Sequence, residues 1–126
     1  MSDFGDEIAR QLATQPKFAR ALHYAIDHCL VDLIPWVLFT SDSQISTRSK
    51  GINEAYTERH VLCFAERRDT DDVGCVVLES TADYAAGEVL IIHDFASPGW
   101  EVDVSFSDFW GWFRAAVDDM IESSSD

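Results

Sequence analysis

The acidic segment at residues 69–74, Asp-Thr-Asp-Asp-Val-Gly, is arranged like the opening of a calcium-binding loop. Carboxylates at positions one and three and a glycine at position six are typical of such loops, since Ca²⁺ prefers oxygen ligands. However, position five is Val73, and position twelve is Ser80, where a calcium loop needs a bidentate Glu. An acidic turn exposed to solvent is therefore the favoured interpretation, and calcium binding is the weaker alternative.

Histidine and cysteine side chains could supply nitrogen and sulfur ligands, but the sequence contains no C-x-x-C or H-x-x-x-H pair. A zinc site needs four ligands at compatible spacing. Cys29, Cys63 and Cys75 fall on apolar stripes or strands, where cysteine usually behaves as a small buried hydrophobe. We expect three buried, reduced thiols, no disulfide framework, no metal and no cofactor.

The usual patterns of nucleophilic catalysis, a Gly-x-Ser-x-Gly elbow and a phosphate-binding glycine loop, are missing from the sequence. His93 and Asp94 lie near the end of an apolar run and could form an acid/base pair. A single histidine in such a place more often makes a structural hydrogen bond. We assign no catalytic residue and predict that the chain is not an enzyme, with a His93–Asp94 site as the alternative.

Trp100 follows Pro98 and Gly99, a pair that favours a turn, and lies close to Glu101 and Asp103. An aromatic side chain with an acidic rim is typical of the centre of a protein interface. Alternatively, Trp100 folds back onto the core, because tryptophan is usually mostly buried.

The charge is strongly negative and unevenly placed. Nine Lys and Arg against 23 Asp and Glu give a formal net charge of -14, of which residues 64–126 carry -12. Such a field repels nucleic acid and anionic lipid and speeds encounter with a basic protein. The sequence therefore disfavours direct nucleic-acid or membrane binding and favours a basic protein partner, unless the charge serves solubility alone.

The 126 residues suffice for one hydrophobic core. The apolar run at residues 30–39 is far shorter than the roughly 20 residues that span a bilayer. Residues 1–7 are acidic and resemble no export signal. We expect a cytoplasmic protein with one domain over residues 1–122 and a frayed tail over residues 123–126.

Apolar spacing predicts three helices: residues 6–13, a helix from Pro16, and a C-terminal helix from about Phe106, where Ser105 and Asp108 suggest a capping box. Residues 40–59 are polar without a sustained period, and we interpret them as a long loop with one helical turn near Glu54.

Short β-rich runs predict strands at residues 60–66, 75–79 and 88–95. The loops between these strands, at residues 67–74 and 80–87, suit hairpin connections. Strands joined by hairpins are antiparallel, so we expect these strands to be antiparallel. Residues 89–92 are apolar on both faces and predict a covered central strand. The fold class is α+β: a mainly antiparallel sheet flanked by N-terminal and C-terminal helices.

Several short motifs in a particular order resemble the SUKH superfamily, which includes the Smi/Knr-like proteins. They lie at residues 35–36, 63–67, 71–75, 89–95, 100–101, 105–106 and 109, and the resemblance extends over roughly residues 34–121. The resemblance implies an α+β domain that bacteria commonly use as an immunity protein against a polymorphic or contact-delivered toxin, often a nuclease. It carries over no toxin-contacting residue.

From charge and expected exposure, our hypothesis is a non-catalytic immunity-type domain that binds a basic toxin domain. The alternative is a regulatory or scaffold domain in a cell-envelope or signalling pathway. The oligomeric state is left open. The predicted partner-binding residues are Asp69, Asp71, Asp72, Asp83, Glu88, Trp100, Glu101 and Asp103.

Overall fold

A computed structural model of the chain describes residues 4–125, so residues 1–3 of the expected domain and residue 126 of the expected tail lie outside it. Within the described residues, the helices are α1 (Asp6–Ala13), α2 (Pro16–Asp27), α3 (Asp42–Ala55) and α4 (Phe109–Ser124). The strands are β1 (Asp32–Leu33), β2 (Trp36–Leu38), β3 (Val61–Arg67), β4 (Asp72–Val77), β5 (Val89–His93) and β6 (Val102–Phe106).

The six strands form one sheet in the order β1-β2-β3-β4-β5-β6, and every neighbouring pair is antiparallel. The sheet is therefore a meander, in which each strand pairs with its neighbour in the chain. Helices from both ends of the chain pack on it, which confirms the predicted α+β class. No helix within residues 4–125 combines the length and the apolar character needed to cross a membrane.

One face of the sheet is covered by α2 and α4 through a cluster of aromatic rings. Phe64 of β3 packs against Phe18 of α2, with ring centroids 5.1 Å apart, and against Trp112 of α4, 4.9 Å away. Gly74 of β4 makes room for them, because a Cβ there would lie 3.2 Å from the Phe64 ring. Edge-to-face contacts of this kind add roughly 0.5–1.5 kcal/mol per pair beyond the burial of apolar area.

Helix α3 lies against the other face and along the edge of β3 that β2 leaves uncovered, and polar side chains attach it. The Asn53 Nδ2 donates to the Val61 carbonyl at 2.9 Å, and the Val61 N–H donates to Asn53 Oδ1 at 3.0 Å. The Cys63 N–H donates to the Ser49 hydroxyl at 2.8 Å. These side chains supply bonds that a neighbouring strand would otherwise make.

The prediction of a long loop at residues 40–59 is wrong, because α3 occupies 14 of those residues. Only Ile45 and Ile52 of this helix are buried. Two apolar residues seven apart leave almost no helical period to detect, since the helix is attached through polar bonds to β3. The Ser41 hydroxyl, which accepts from the Gln44 N–H at 3.3 Å, was the available signal for its start.

Strands β1, β2 and β6 are not among the strands predicted from the sequence. The first two have only two and three residues, which is too short for a recognisable alternation. Strand β6 does alternate, with Val102, Val104 and Phe106 separated by polar residues, but we placed the start of α4 there. Helix α4 instead begins at Phe109, because the Asp108 carboxylate accepts from the Gly111 N–H at 2.9 Å and caps the helix.

The remaining elements agree with the predictions. Helix α1 has the predicted bounds, α2 begins at Pro16, and β3, β4 and β5 overlap the three predicted strands, joined by hairpins. Residues 89–92 are buried in β5, which pairs on both sides. At the C-terminus α4 continues to Ser124, three residues beyond the apolar stripe that ends at Ile121.

Replacement of Asn53 tests the attachment of α3 to β3. Asn53→Ala leaves the partly buried N–H and C=O of Val61 without their partners, so we expect a loss of about 2 kcal/mol in the free energy of unfolding. Urea denaturation followed by circular dichroism measures it. The matched control is Glu54→Ala on the exposed side of the same helix, for which we expect a change within about 0.5 kcal/mol. Equal effects of the two replacements would contradict this role of Asn53.

Candidate functional site

The loop of residues 94–101, between β5 and β6, folds over the α3 side of the sheet and presents two aromatic side chains to solvent. Its second half is a tight turn in which the Trp100 N–H donates to the Ser97 carbonyl at 3.0 Å. Pro98 and Gly99 occupy the two central positions, and Gly99 has a φ of 96°. This arrangement is that of a type II turn, which requires a positive φ at its third residue. It confirms the turn predicted from Pro98 and Gly99.

The first half of the loop is held to α3 and to the residue that follows it. Arg48 Nη1 lies 3.1 Å from Asp94 Oδ2, and the Asp94 carboxylate is largely buried. The Tyr56 hydroxyl donates to the Ala96 carbonyl at 2.8 Å. Burial, together with the negative charges of Asp94 and Glu101, raises the pKa of this hydroxyl. Tyr56 therefore remains a protonated donor over the whole physiological range.

The second half of the loop is held by a buried ion pair. Arg59 Nη2 lies 2.6 Å from Glu101 Oε2, and the Arg59 Nε donates to the same oxygen at 2.9 Å. The other carboxylate oxygen accepts from the Gly99 N–H at 2.6 Å. The Arg59 guanidinium also lies over the Tyr84 ring, 5.1 Å from its centroid, so it joins this loop to the β4–β5 loop.

Glu101 is charged in spite of its burial. Burial alone would raise the pKa of its carboxyl, but the hydrogen bonds from Arg59 and from the Gly99 backbone outweigh that effect and lower the pKa. Only 3% of this residue is exposed. The prediction that placed Glu101 on an outward acidic rim therefore does not fit its position, because the carboxylate points inward and serves the loop.

Phe95 and Trp100 are the two most exposed large apolar residues described in the chain, at 84% and 83%. The interpretation in which Trp100 covers the core is therefore wrong. Phe95 has a φ of 68°, a left-handed backbone conformation that costs a non-glycine residue roughly 1–2 kcal/mol. The surrounding bonds thus hold an exposed aromatic residue in an unfavourable conformation, a situation typical of binding sites.

Acidic residues surround the loop at the ends of β4, β5 and β6. His93 Nδ1 lies 2.7 Å from Asp72 Oδ1. The hydrogen bond to Asp72, helped by the negative charges of Asp71 and Asp103, raises the pKa of the His93 imidazole. These three carboxylates therefore lie near one another, and Asp71 and Asp103 are exposed. We call Phe95, Trp100, Asp71, Asp72, His93 and Asp103 the aromatic–acidic corner.

The structure disperses the other predicted partner-binding residues. Asp69 lies in the β3–β4 turn, where a hydrogen bond from Arg67 lowers the pKa of its carboxyl. Asp83 lines a cavity of about 280 Å³ together with Gly99 and is exposed. Glu88 lines a groove of about 430 Å³ on the opposite side, between α2 and α4. The carboxylates of residues 64–126 thus occupy several separate regions, and many of them bind basic side chains of the protein itself.

The geometry of the titratable groups does not assemble an acid/base pair from His93 and Asp94. The Asp94 carboxylate binds Arg48, whereas His93 binds Asp72 and is half exposed. Within residues 4–125, no group of three or more His, Cys, Asp or Glu side chains could hold a metal ion. Cys63 and Cys75 are buried as predicted, but Cys29 is exposed because α2 ends at Asp27, before the stripe reaches it.

Titration of His93 tests the corner. Because the pKa of His93 is raised on folding, its pair with Asp72 stabilises the protein fully below the unfolded-state pKa, and this contribution is lost as the pH rises through the folded-state pKa. We expect NMR titration of the imidazole protons to give a value above that of an unperturbed histidine. Asp72→Asn should return it towards that value, while Asp83→Asn, the control, should leave it unchanged. An unshifted histidine in the unmodified protein would contradict the pairing.

Removal of the charge of Glu101 tests the buried ion pair. Glu101→Gln keeps the shape but leaves the Arg59 guanidinium buried without a counter-charge, so we expect a loss of about 3 kcal/mol in the free energy of unfolding. Urea denaturation at pH 7 measures it. Glu79→Gln, at an exposed carboxylate that pairs with His60, is the control, with a change below about 0.5 kcal/mol expected. A stability equal to that of the unmodified protein would show that the pair does not hold the loop.

No protein-family model matches this chain, and no curated protein or solved structure matches it either. The SUKH resemblance accordingly stays a prediction from the short motifs.

Proposed function

We propose that this chain is a non-catalytic protein-binding domain whose contact surface is the aromatic–acidic corner. The observation that supports this proposal is the loop of residues 94–101, in which Phe95 and Trp100 are more than four-fifths exposed although the loop is held by four hydrogen bonds, two to its backbone and two to its Asp94 and Glu101 side chains. The fold does not need these two side chains. Burial of a phenylalanine or tryptophan removes about 150–250 Å² of surface from water, so the pair can contribute strongly to an interface.

Rigid attachment of the loop favours binding in a further way. A flexible loop loses conformational entropy when it binds, at roughly 0.5–1.5 kcal/mol for each side chain immobilised. Here Arg48, Tyr56 and Arg59 have already fixed the backbone. Only the rotamers of Phe95 and Trp100 remain to be fixed, and aromatic side chains have few of them. Trp is also among the residues that most often dominate binding energies.

We propose further that the partner is a basic protein domain, and specifically the toxin domain that the SUKH resemblance implies. Asp71 lines one surface cavity together with Phe95, Asp71 and Asp103 are both exposed, and the whole chain carries a formal charge of -14. Opposite charge on a partner would raise the rate of encounter, while the buried aromatic side chains would slow dissociation. The proposed surface is limited to the corner and is not one continuous acidic face, because the carboxylates of residues 64–126 are dispersed.

Replacement of the exposed aromatic residues tests the surface. The probes are the purified products of the genes adjacent to that of this chain, each measured by surface plasmon resonance. We expect one of them to bind, and Phe95→Ala or Trp100→Ala to weaken that binding by at least ~30-fold, the effect of a central interface residue. The control is Tyr24→Ala, an exposed aromatic residue on α2 at the opposite face of the sheet. A complex that tolerates both replacements would refute the proposed surface.

The charge of the partner is tested in the same complex. Asp71→Lys with Asp103→Lys should slow association and make its rate less dependent on salt, with little change in the dissociation rate. Glu79→Lys with Glu88→Lys, beyond the opposite ends of β4 and β5, is the control with the same change in net charge. An unchanged association rate would show that the partner is not recognised through this acidic rim, even if the aromatic residues prove essential.

A further inference from the structure

Two buried cysteines lie side by side on neighbouring strands. Cys63 of β3 and Cys75 of β4 are direct partners in the antiparallel register, and their Sγ atoms are 3.1 Å apart. Both residues are free thiols with no exposed surface. This sulfur–sulfur distance is short for two thiols that share no bond, and no part of the proposed function uses them.

The backbone around the pair suits a covalent bond. The Cys63 N–H donates to Ser49 of α3 and not to β4, which places Cys63 and Cys75 at a non-hydrogen-bonded position of the β3–β4 pair. At such positions the opposed Cα atoms are about 4.5 Å apart and the side chains approach closely. That separation lies within the range of roughly 4.4–6.8 Å found for disulfides. The strands would therefore need little movement to accept a bond between the two sulfurs.

We propose that Cys63 and Cys75 are a modification site at which a disulfide oxidant such as oxidised glutathione makes an intramolecular cross-strand disulfide. The thiolate of one cysteine attacks the oxidant, forms a mixed disulfide and releases one reduced glutathione. The thiolate of the other cysteine then displaces the second glutathione. The two cysteine S–H bonds and the S–S bond of oxidised glutathione are broken, and one cysteine S–S bond is formed. The two electrons and two protons end on two molecules of reduced glutathione.

The surroundings determine when the bond forms. Helix α3 and the loop of residues 94–101 lie over the sulfurs, and the Cys75 thiol feels the charges of Arg48 and Asp94. Burial, and after it the contact with Cys63, raises the pKa of the Cys75 thiol, so the attacking thiolate is scarce in the folded protein. The bond therefore forms during folding or local opening, and once formed it is shielded from reductants.

The test uses Cys29→Ser, which removes the exposed thiol and alters no core residue. The protein is reduced and unfolded in guanidinium chloride, then equilibrated with a mixture of reduced and oxidised glutathione, either in denaturant or after dilution to native conditions. Alkylation and mass spectrometry count the bridged, glutathione-bound and free thiols. We expect the equilibrium constant for the bridge to be about 100-fold larger under native conditions, because the fold holds the sulfurs together.

Two further measurements complete the test. The bridged protein should melt about 10 °C above the reduced protein, since the bond closes a loop in the unfolded chain. When the oxidant is added to the protein already folded and reduced, the bridge should form at least tenfold more slowly than during refolding. Cys29→Ser with Cys75→Ala is the control, and it should give free thiol or a glutathione adduct but no bridge.

An equilibrium constant no larger under native conditions than in denaturant would overturn the proposal, because the native fold would then not favour the bond. A predominance of glutathione adducts in the refolded protein would overturn it as well. Both results come from the Cys29→Ser protein alone, so they stand even if the Cys75→Ala control does not fold. Neither bears on the aromatic–acidic corner.

Discussion

The central strands carry apolar side chains on both faces, and the sheet therefore needs a cover on each side. Every residue of β3 from Val61 to Ala65, and of β5 from Val89 to Ile92, is buried. The two covers differ in kind. Helices α2 and α4 bring large aromatic rings, whereas α3 brings two buried isoleucines and a set of polar attachments. Because α3 can bury little apolar surface, its position depends on specific hydrogen bonds between the backbone of β3 and the side chains of Asn53 and Ser49.

The limited apolar surface of α3 explains why the loop of residues 94–101 also lies on that side of the sheet. The same side of the sheet that α3 leaves partly open is completed by this loop, and Arg48, Tyr56 and Arg59 hold the loop in place. The loop is thus firmly attached to the fold, while its two largest side chains, Phe95 and Trp100, remain exposed. The residues beneath the loop hold it in place, and its exposed side chains are apolar. Low flexibility and accessible apolar surface both favour tight binding.

The carboxylates of the second half illustrate how one residue type takes different roles. Glu101 and Asp103 are two residues apart, yet the first is buried against Arg59 and the second is exposed on β6. Asp72 and Asp94 bind His93 and Arg48, and Asp119 accepts from the indole N–H of Trp36. The large negative charge therefore does not describe one surface. Part of it stabilises the fold, and only the remainder is available to a partner.

The sequence by itself determined the elements that have a local signal. The apolar stripes of α1, α2 and α4 were readable because their apolar residues recur at helical spacing, and β3, β4 and β5 were readable as short β-rich runs bounded by turn residues. The sequence also predicted the turn at Pro98 and Gly99. An exposed Trp100 was one of its two alternatives for that residue. Strand β6 carried a readable alternation that competed with the expected start of α4.

The tertiary structure alone decided what depends on distant partners. Helix α3 has little period because its attachments lie on β3, and Glu101 is buried because Arg59, 42 residues earlier, reaches it. The exposure of Phe95 follows from the anchoring of Asp94 by Arg48 of α3 and of Ala96 by Tyr56, which follows α3. Cys63 and Cys75 meet because the β3–β4 register places them opposite each other. The local sequence pattern indicates which face of a helix or strand is apolar. Which charged groups pair with each other is decided only when the folded chain brings them together.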